Sequence, residues 1–454
     1  MRTVEGLLNQ RRMAGHGGDG WRIVVVAAPL YLSMVAASVG SLVVTAALGR
    51  FDTTALAAFA LASAVHVPTT AAVTGAVRGV LPFVSSAAGD HDGVLRVVRD
   101  GTWLAVAVGV PGAVVVAGVP LLARVGGVPA ETVTELGVLP LMLAGSLLLG
   151  SVGAMASSSL VGLGRTRTVM RAGLFSATCA AGLSSLLVNG FGPLPALGLA
   201  GAGGAVLVAN LAACAMNLSG LRSTLDTPLA GLVAVRPDPR RMRELARVGI
   251  PMAGTVLVKF GVLGVLAFAA ARISPPATAA HGIATSLVGL IFTAAVAAGQ
   301  AGVPLVSSRA AAGDVLGVRR GVRAGLVVVT ATVGAACALL VILRPVLLPL
   351  FTDDPGVRSL TTALVPLVVL AVLGDGLQAV LGFGLTGLRR TAPSFVVFSV
   401  LYGVLAVVAL PVASATGIAG LWTALVVTNA LVAVGQGTAF LRVSGRLGTA
   451  EAVR

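Results

Sequence analysis

The residues that could do chemistry in this chain are the few ionisable side chains that interrupt its long apolar stretches. Asp375, in the sequence LGDGLQ, is the one acidic residue deep in such a stretch, and Lys259, in VLVKFG, is the only lysine of the protein. Ionisable groups within hydrocarbon are costly and usually serve a function. Because burial disfavours the charged form of a carboxyl group, Asp375 is a candidate proton carrier.

We predict that Lys259 and Asp375 form an ion pair, and that protonation of Asp375 breaks the pair and shifts the balance between two conformations. Two plainer interpretations stay open. Asp375 could be paired permanently with a base, and the lysine side chain could extend to a membrane interface, as long cationic side chains do. The position of Lys259 about a dozen residues inside its stretch favours the pair.

Other polar residues of the apolar stretches are candidates to face a bound molecule. They are Arg78, Gln300, Gln378, Asn210 and Asn429. Asn210 and Asn429 occupy equivalent positions of an internal repeat, which also fits a role in helix packing. No GxSxG-like nucleophile with a histidine and no HExxH motif is present, so we do not predict an enzyme. The three cysteines are widely spaced, and neither a disulfide framework nor a metal site is expected.

The composition indicates that the solvent of this protein is a bilayer. Hydrophobic residues make up 57% of the 454 residues and charged residues only 10%, against roughly 25% in an ordinary soluble domain. A water-soluble protein of this composition would expose large apolar patches and aggregate. The net charge of +15 does not indicate nucleic-acid binding, because most arginines lie in short connections between apolar stretches. Soluble enzymes, nucleic-acid-binding modules and secreted domains are thereby excluded.

Apolar stretches of about twenty residues are the signature of membrane-spanning helices, and this chain has twelve. Helices are favoured over a barrel because backbone groups in lipid must form their hydrogen bonds within the segment. The predicted spans are 23–49, 54–84, 102–123, 133–160, 168–189, 196–221, 248–271, 277–306, 322–350, 359–385, 393–413 and 416–441. We therefore expect an all-α membrane protein.

Basic residues are distributed unevenly between the two sides of these spans. With the N-terminus inside, 24 of the 31 basic residues fall in inner segments, four in outer segments and three within spans. Cytoplasmic loops of membrane proteins carry an excess of Lys and Arg. The bias predicts a multi-pass protein of a bacterial inner membrane with both termini in the cytoplasm.

The longest connection between spans, residues 222–247, is basic and contains Pro237 and Pro239. It separates six spans from six, so we interpret it as a cytoplasmic linker between two halves. The predicted organisation is a cytoplasmic N-terminal segment (1–22), an N-terminal six-helix lobe (23–221), the linker (222–247), a C-terminal six-helix lobe (248–442) and a cytoplasmic tail (443–454).

The two halves are an internal repeat. A nearly constant shift of about 222 residues aligns six windows in the same order, among them LPFVSS at 81–86 with VPLVSS at 303–308. Because each half has an even number of spans, a pseudo-two-fold axis along the membrane normal should relate them, as in transporters that rock one half against the other. Pro29 and Pro251 are also equivalent, and we predict that both are bending points; static kinks are the alternative.

The chain resembles the MATE (multidrug and toxic compound extrusion) transporters from about residue 23 to residue 442. The most specific words are AAHGIA at 279–284 and DGLQAVLGFGLTGLRRT at 375–391, with APLYLSMVAA at 28–37 as a weaker one. The resemblance implies twelve helices in two six-helix lobes around a central cavity. It also implies export that is driven by an inward flow of protons or sodium ions.

The resemblance carries residue roles with it. Asp375 falls on the family's acidic position in the tenth helix, which binds a cation in one branch. Lys259 stands where the sodium-linked branch has a glutamate, and Val44 stands where proton-linked relatives have an aspartate. An ammonium group at position 259 would repel sodium, so we expect a proton gradient rather than a sodium gradient to drive transport, without any cofactor.

The resulting hypothesis is a secondary antiporter that exports small organic molecules of drug or natural-product type by rocker-switch alternating access. The alternative is a flippase for lipid-linked oligosaccharides from the same wider superfamily, to which the cationic Arg78 and Lys259 point. We expect the partners to be a small-molecule substrate and membrane lipid, without nucleic acid, and we expect a monomer.

Overall fold

The structure, a computed structural model, describes residues 18–190, 195–228, 231 and 237–451. Parts of three predicted cytoplasmic segments lie outside these described residues. They are 1–17 of the N-terminal segment, 229–230 and 232–236 of the linker, and 452–454 of the tail.

The described residues form fourteen α-helices and no strand. A single 3-10 turn, Arg78–Val80, joins the second helix to the third. The helices are α1 (Asp19–Phe51), α2 (Thr53–Val77), α3 (Leu81–Ser86), α4 (His91–Ala117), α5 (Val119–Val125), α6 (Ala130–Glu135), α7 (Leu139–Gly162), α8 (Thr166–Asn189), α9 (Gly198–Leu225), α10 (Pro239–Ala271), α11 (Pro275–Ala311), α12 (Val315–Phe351), α13 (Pro355–Gly387) and α14 (Ala392–Glu451).

Eleven helical segments of the described chain are long and apolar enough to cross a membrane, and one of them joins α2, the 3-10 turn and α3 over Thr53–Ser86. The last segment contains two predicted spans, because Gly417 interrupts α14 with φ 66° and ψ −159°. Glycine adopts a positive φ without the steric penalty of a side chain. All twelve predicted spans are therefore helical, and the predicted all-α membrane class is confirmed.

Several helices extend beyond the predicted spans, as α10 does from Pro239 and α12 from Val315. Two further spans differ from the predicted boundaries for local reasons. The predicted span 102–123 is helical from His91, because the helix continues through polar residues beyond the apolar stretch, and it ends at Ala117. The predicted span 133–160 begins as a long helix only at Leu139, since Gly137, with φ 45°, separates α7 from the short helix α6.

The contacts divide the chain into two compact units. The first consists of Met1–Tyr31 with Leu257–Arg454, and the second consists of Leu32–Val256. We call them the C-terminal unit and the N-terminal unit. Each division falls inside a helix, in α1 shortly after Pro29 and in α10 shortly after Pro251. Each of these two helices therefore contributes its first part to one unit and its second part to the other.

Each unit has its own apolar core. In the C-terminal unit, Phe398, Tyr402 and Trp422 are among the largest fully buried side chains. In the N-terminal unit, the core contains Leu48 and Leu147 together with many alanines. Small residues allow helices to approach closely in membranes, where packing rather than hydrophobic exclusion drives association.

Candidate functional site

Lys259 of α10 and Asp375 of α13 form an ion pair inside the C-terminal unit. The lysine Nζ lies 2.8 Å from Oδ1 and 2.6 Å from Oδ2 of the aspartate, so one ammonium group contacts both carboxylate oxygens. The aspartate side chain is 3% exposed and the lysine side chain is 20% exposed. The structure therefore brings together the two residues that the sequence analysis proposed as a pair.

Asp375 is positioned by the small residues on either side of it. A Cβ atom at Gly376 would lie 3.0 Å from Val329 of α12 and 3.5 Å from Ala295 of α11, and one at Gly374 would lie 3.1 Å from Asn429 of α14. Because glycine carries no side chain, α13 approaches three neighbouring helices closely at the level of the carboxylate. The carboxylate is thus enclosed by protein, and this burial requires that its charge be compensated.

Two further side chains complete the surroundings of the pair. Gln378 lies one turn after Asp375 and donates a hydrogen bond of 2.9 Å from Nε2 to Oδ1. The ring of Phe292, in α11, lies under the ammonium group, with 3.7 Å between Nζ and the ring centroid. A cation over an aromatic face is attracted by the ring quadrupole. Gln378 is among the residues predicted from the sequence. Phe292 is not, because no spacing within α11 signals a contact with α10.

Asn429 links helices one turn away from the pair. Its Oδ1 accepts a hydrogen bond of 2.7 Å from the Tyr402 hydroxyl, and its Nδ2 donates one of 3.0 Å to the carbonyl oxygen of Ala371, four residues before Asp375. Asn429 is 3% exposed, and both ends of its amide are used within the protein. Its equivalent in the repeat, Asn210, is half-buried and donates to the Val206 carbonyl oxygen of its own helix.

The remaining predicted site residues lie elsewhere in the two units. Gln300 is buried in α11 of the C-terminal unit. Arg78 begins the 3-10 turn of the N-terminal unit and is half-buried. None of the four ion pairs found among the described residues includes Arg78. Their proposed roles in substrate binding stay predictions.

Two ion pairs at helix ends escaped the sequence analysis. In the N-terminal unit, buried Asp100 of α4 accepts hydrogen bonds from Arg241 Nη1 at 3.2 Å and from the backbone N–H of Asp238 at 3.0 Å. In the C-terminal unit, Arg309 contacts both oxygens of Asp19 at 2.8 and 2.7 Å. These residues flank arginine-rich connections, so in the sequence they resemble ordinary solvated charges.

The chemistry available at the Lys259–Asp375 pair is exchange of charge. As an ammonium and a carboxylate the pair is neutral, and loss or gain of one proton leaves a buried net charge. Removing one partner of a buried pair typically costs 3–5 kcal/mol, because the other charge is left uncompensated. Loss of either charge at this site is therefore costly unless the other charge is removed or compensated at the same time.

Comparison with known proteins agrees with this architecture. A family model described as MatE matches residues 29–186 and 251–412, more than two thirds of the chain and both halves of the repeat. The chain is 28% identical over 376 residues to the probable multidrug resistance protein NorM of Aromatoleum aromaticum, covering 81% of this chain and 79% of that protein. It is 27% identical over 443 residues to the probable multidrug resistance protein NorM of Chromobacterium violaceum, covering 93% of each chain.

Solved structures show the same fold at lower identity. A multidrug resistance MATE family transporter in an outward-facing conformation aligns with a TM-score of 0.85 at 17% identity, covering 96% of this chain and 97% of that one. The eukaryotic MATE transporter AtDTX14 aligns with a TM-score of 0.80 at 17% identity, covering 95% and 98%. The predicted family and the arrangement of twelve helices in two lobes are confirmed. The chain belongs to the MatE (MATE) family and is a multi-pass membrane transporter, not an enzyme.

Proposed function

We propose that this transporter exports small organic molecules of drug or natural-product type from a bacterial cell, in exchange for protons and by rocker-switch alternating access. The relatives named as probable multidrug resistance proteins support the class of cargo. The observation that carries the coupling is the buried ion pair of Lys259 and Asp375. The excess of arginine on one side of the spans supports an inner-membrane location with both termini in the cytoplasm.

The ion pair supports protons rather than sodium as the coupling ion. A sodium ion needs several oxygen ligands, yet both oxygens of Asp375 are already contacted by the Lys259 ammonium group. Sodium would also lie next to this positive charge, and like charges at short range in a protein repel strongly. A proton, in contrast, can be gained or lost by the pair itself without any additional ligand.

The N-terminal unit gives less support for a proton-coupling site. Val44, at the position where proton-linked relatives have an aspartate, is 1% exposed and apolar. Asp19, the acidic residue of α1, lies in the first turn of that helix, in the part that belongs to the C-terminal unit, and is paired with Arg309. We therefore place coupling in the C-terminal unit, at the pair between α10 and α13.

The energy of one proton is sufficient for useful export. One charge that crosses 100 mV releases about 2.3 kcal/mol. Because 1.36 kcal/mol corresponds to a tenfold ratio, each transported proton supports a cargo gradient of roughly fifty-fold.

The decisive experiment is transport in proteoliposomes with an imposed pH gradient or an imposed sodium gradient, using a panel of organic dyes that includes the cation ethidium. We expect wild type to respond to the pH gradient and not to the sodium gradient. Asp375→Asn should reduce gradient-driven transport to the level of protein-free vesicles. Asp353→Asn, which removes an exposed acid just before α13, is the matched control and should transport normally. Proton-driven transport that survives in Asp375→Asn would refute the coupling site.

One observation favours the alternative of a lipid-linked oligosaccharide flippase. Arg78 is a half-buried cation outside the four ion pairs of the described residues, and a pyrophosphate would be a suitable ligand for it. The same vesicles test this function if they carry a fluorescent pyrophosphate-linked lipid. Flipping of that lipid by wild type but not by Arg78→Gln, without dye transport, would establish the flippase instead.

A further inference from the structure

We infer that the C-terminal unit binds an anionic phospholipid at an arginine cluster, which consists of Arg319 and Arg323 of α12 with Arg442 and Arg446 of α14. The occupant is a lipid whose headgroup carries a negatively charged phosphodiester, such as phosphatidylglycerol. The inference goes beyond the proposed function, because it depends neither on the cargo nor on the coupling ion. It gives the membrane lipid expected as a partner a place on the protein and a headgroup chemistry.

The arginine cluster lies where the beginning of α12 meets the end of α14. Arg319 donates a hydrogen bond of 3.2 Å from Nε to the hydroxyl group of Ser444. At the same level α13 brings the two helices together, because a Cβ atom at Gly384 would lie 2.9 Å from Val322 and 3.5 Å from Phe440. The other three arginines each lie within two residues of one of these contact positions. All four are exposed, so the cluster forms one surface.

The positive charge of three members of the cluster is not balanced by an acid in the described part of the chain. The hydrogen bonds of Arg319 go to neutral groups, the Ser444 hydroxyl and the Leu441 carbonyl oxygen. The four ion pairs of the described residues include neither Arg319 nor Arg323 nor Arg442. Each helix carries two arginines four residues apart, and like charges at this spacing repel each other. An anion bound beside both helices would relieve this repulsion.

The cluster lies at the depth of lipid headgroups. Arg323 is the second residue of its predicted span, and Arg442 directly follows the last predicted span. Deeper along the same helix faces, Val327 lies one turn beyond Arg323 and Leu431 lies three turns before Arg442, and both side chains are exposed. Guanidinium groups with exposed apolar side chains beneath them match the two parts of a phospholipid, its headgroup and its acyl chains. A small soluble anion would use only the guanidinium groups.

Arginine suits a phosphodiester in its geometry as well as in its charge. The planar guanidinium group presents paired N–H donors that match two phosphate oxygens at once. Clusters of basic residues at the cytoplasmic end of membrane helices recognise anionic headgroups in this way. Two helices that each supply arginines can therefore contact one phosphate from two sides.

A comparison with the N-terminal unit indicates one such site per chain. The alignment of the two halves places Leu95 at the position of Arg319 and Arg99 at that of Arg323. The positions equivalent to the two arginines of α14 carry a serine and a threonine. Arg99 donates a hydrogen bond of 2.7 Å from Nε to the carbonyl oxygen of Gly231, so the linker already uses this side chain. We therefore assign the lipid site to the C-terminal unit.

Native mass spectrometry of the purified full chain tests the inference, because it counts bound lipids and gives their affinities. The protein in a neutral detergent is titrated with phosphatidylglycerol, or with phosphatidylcholine of the same acyl chains. We expect one tightly bound phosphatidylglycerol per chain, with phosphatidylcholine bound at least about ten-fold more weakly. Each arginine near an anionic headgroup contributes about five-fold in affinity, so Arg319→Gln with Arg442→Gln should weaken phosphatidylglycerol binding roughly twenty-five-fold.

Arg165→Gln with Arg167→Gln is the matched control, since it removes two exposed arginines at the beginning of α8 in the N-terminal unit. This variant should bind phosphatidylglycerol as wild type does. Arg442→Gln alone keeps the hydrogen bonds of Arg319 to α14, so it tests the site even if the double variant does not fold. It should weaken binding about five-fold, and Arg442→Lys should recover only part of the loss, because an ammonium group lacks paired donors.

Three results would overturn the inference. The first is phosphatidylglycerol bound no more tightly than phosphatidylcholine, and the second is unchanged affinity in Arg442→Gln. The third is an equal loss in the control with Arg165 and Arg167 replaced, which would show that the lipid responds to net charge and not to the cluster. A parallel titration with glycerol 3-phosphate separates the lipid from a soluble anion, because displacement of phosphatidylglycerol at equal concentration would assign the cluster to the soluble anion and would also overturn the inference.

Discussion

The two compact units each bury an aspartate against a cation, but the two ion pairs differ in every property that would allow exchange. Asp375 lies deep in α13 and is paired with Lys259, whose ammonium group lies over an aromatic ring. Asp100 of α4 is held by Arg241, which cannot deprotonate, and by a backbone N–H group at the beginning of α10. This difference supports the proposal that Asp375 belongs to the coupling site, whereas Asp100 fastens α4 to the first turn of α10.

Two ion pairs, Asp19–Arg309 and Asp100–Arg241, follow the internal repeat, and we call them the anchor pairs. Asp19 and Arg241 are 222 residues apart, which is the offset between the two halves, and each lies in the first turn of the first long helix of its half. Each forms an ion pair within the unit that receives the first part of its helix. The two equivalent positions carry opposite charges, so each pairs with a residue of the opposite sign in its own unit.

The largest expected effect comes from removing one partner of the Lys259–Asp375 pair. Asp375→Ala leaves the Lys259 charge buried, so we expect the free energy of unfolding to fall by about 3–5 kcal/mol. The double variant Lys259→Met with Asp375→Leu replaces the pair by apolar side chains and should recover most of that loss. Reversible unfolding in mixed micelles measures both variants. A double variant as unstable as the single one would show that the pair is held by its geometry and not by charge balance.

The next prediction tests whether the first part of α10 packs more closely against its neighbours than the part that carries Lys259. A Cβ atom at Gly249 would collide with the backbone carbonyl of Ala76, whereas one at Gly261 would meet no atom within 4 Å. Overpacking of this kind costs about 1–3 kcal/mol, so Gly249→Ala should lower the thermal unfolding temperature. Gly261→Ala is the matched control in the same helix. Equal stability of the two variants would contradict the close approach of α10 to α2.

Removal of the Asp100–Arg241 pair should lower the stability of the protein without changing how transport is coupled to protons. Asp100→Asn weakens the contact with Arg241, whose side chain is 31% exposed. Because solvent screens a partly exposed pair, we expect a loss of only about 1–2 kcal/mol, less than for Asp375. The number of protons exchanged per transported cargo molecule, measured in proteoliposomes, should equal that of wild type. A changed ratio would mean that Asp100 takes part in transport and would remove the distinction between the two aspartates.

The last comparison, which contains the smallest single effect expected, is between the two equivalent asparagines. Tyr402→Phe leaves Oδ1 of Asn429 without its buried donor, which should cost about 1–3 kcal/mol. Asn210→Ala removes a hydrogen bond to the carbonyl oxygen of its own helix and should cost about 0.5 kcal/mol or less. Urea or heat titrations of both variants in the same detergent give the comparison. An Asn210 variant that is the less stable of the two would indicate that Asn210 has contacts beyond its own helix.

Much of the fold follows from the sequence alone. Helix length and apolar character are local properties, and they predicted the twelve spans to within a few residues at most ends. The family was predicted separately, from its resemblance in short sequence words such as AAHGIA. Asp375 and Lys259 could also be proposed as partners, because a charge within an apolar stretch needs compensation and few candidates exist. The boundary at Leu139 was missed because a single glycine with positive φ, Gly137, interrupts the helix within an apolar run.

Only the tertiary structure decided which side chains meet. In water an amphipathic helix shows by its pattern which face turns inward, but these helices are apolar on all sides, because lipid and protein interior accept the same residues. The sequence of a single helix therefore does not determine its rotation about its own axis or its depth in the membrane. For this reason the placement of Phe292 under the lysine, the contact of one ammonium with both oxygens of Asp375, and the sharing of α1 and α10 between the two units emerged only from the packed chain.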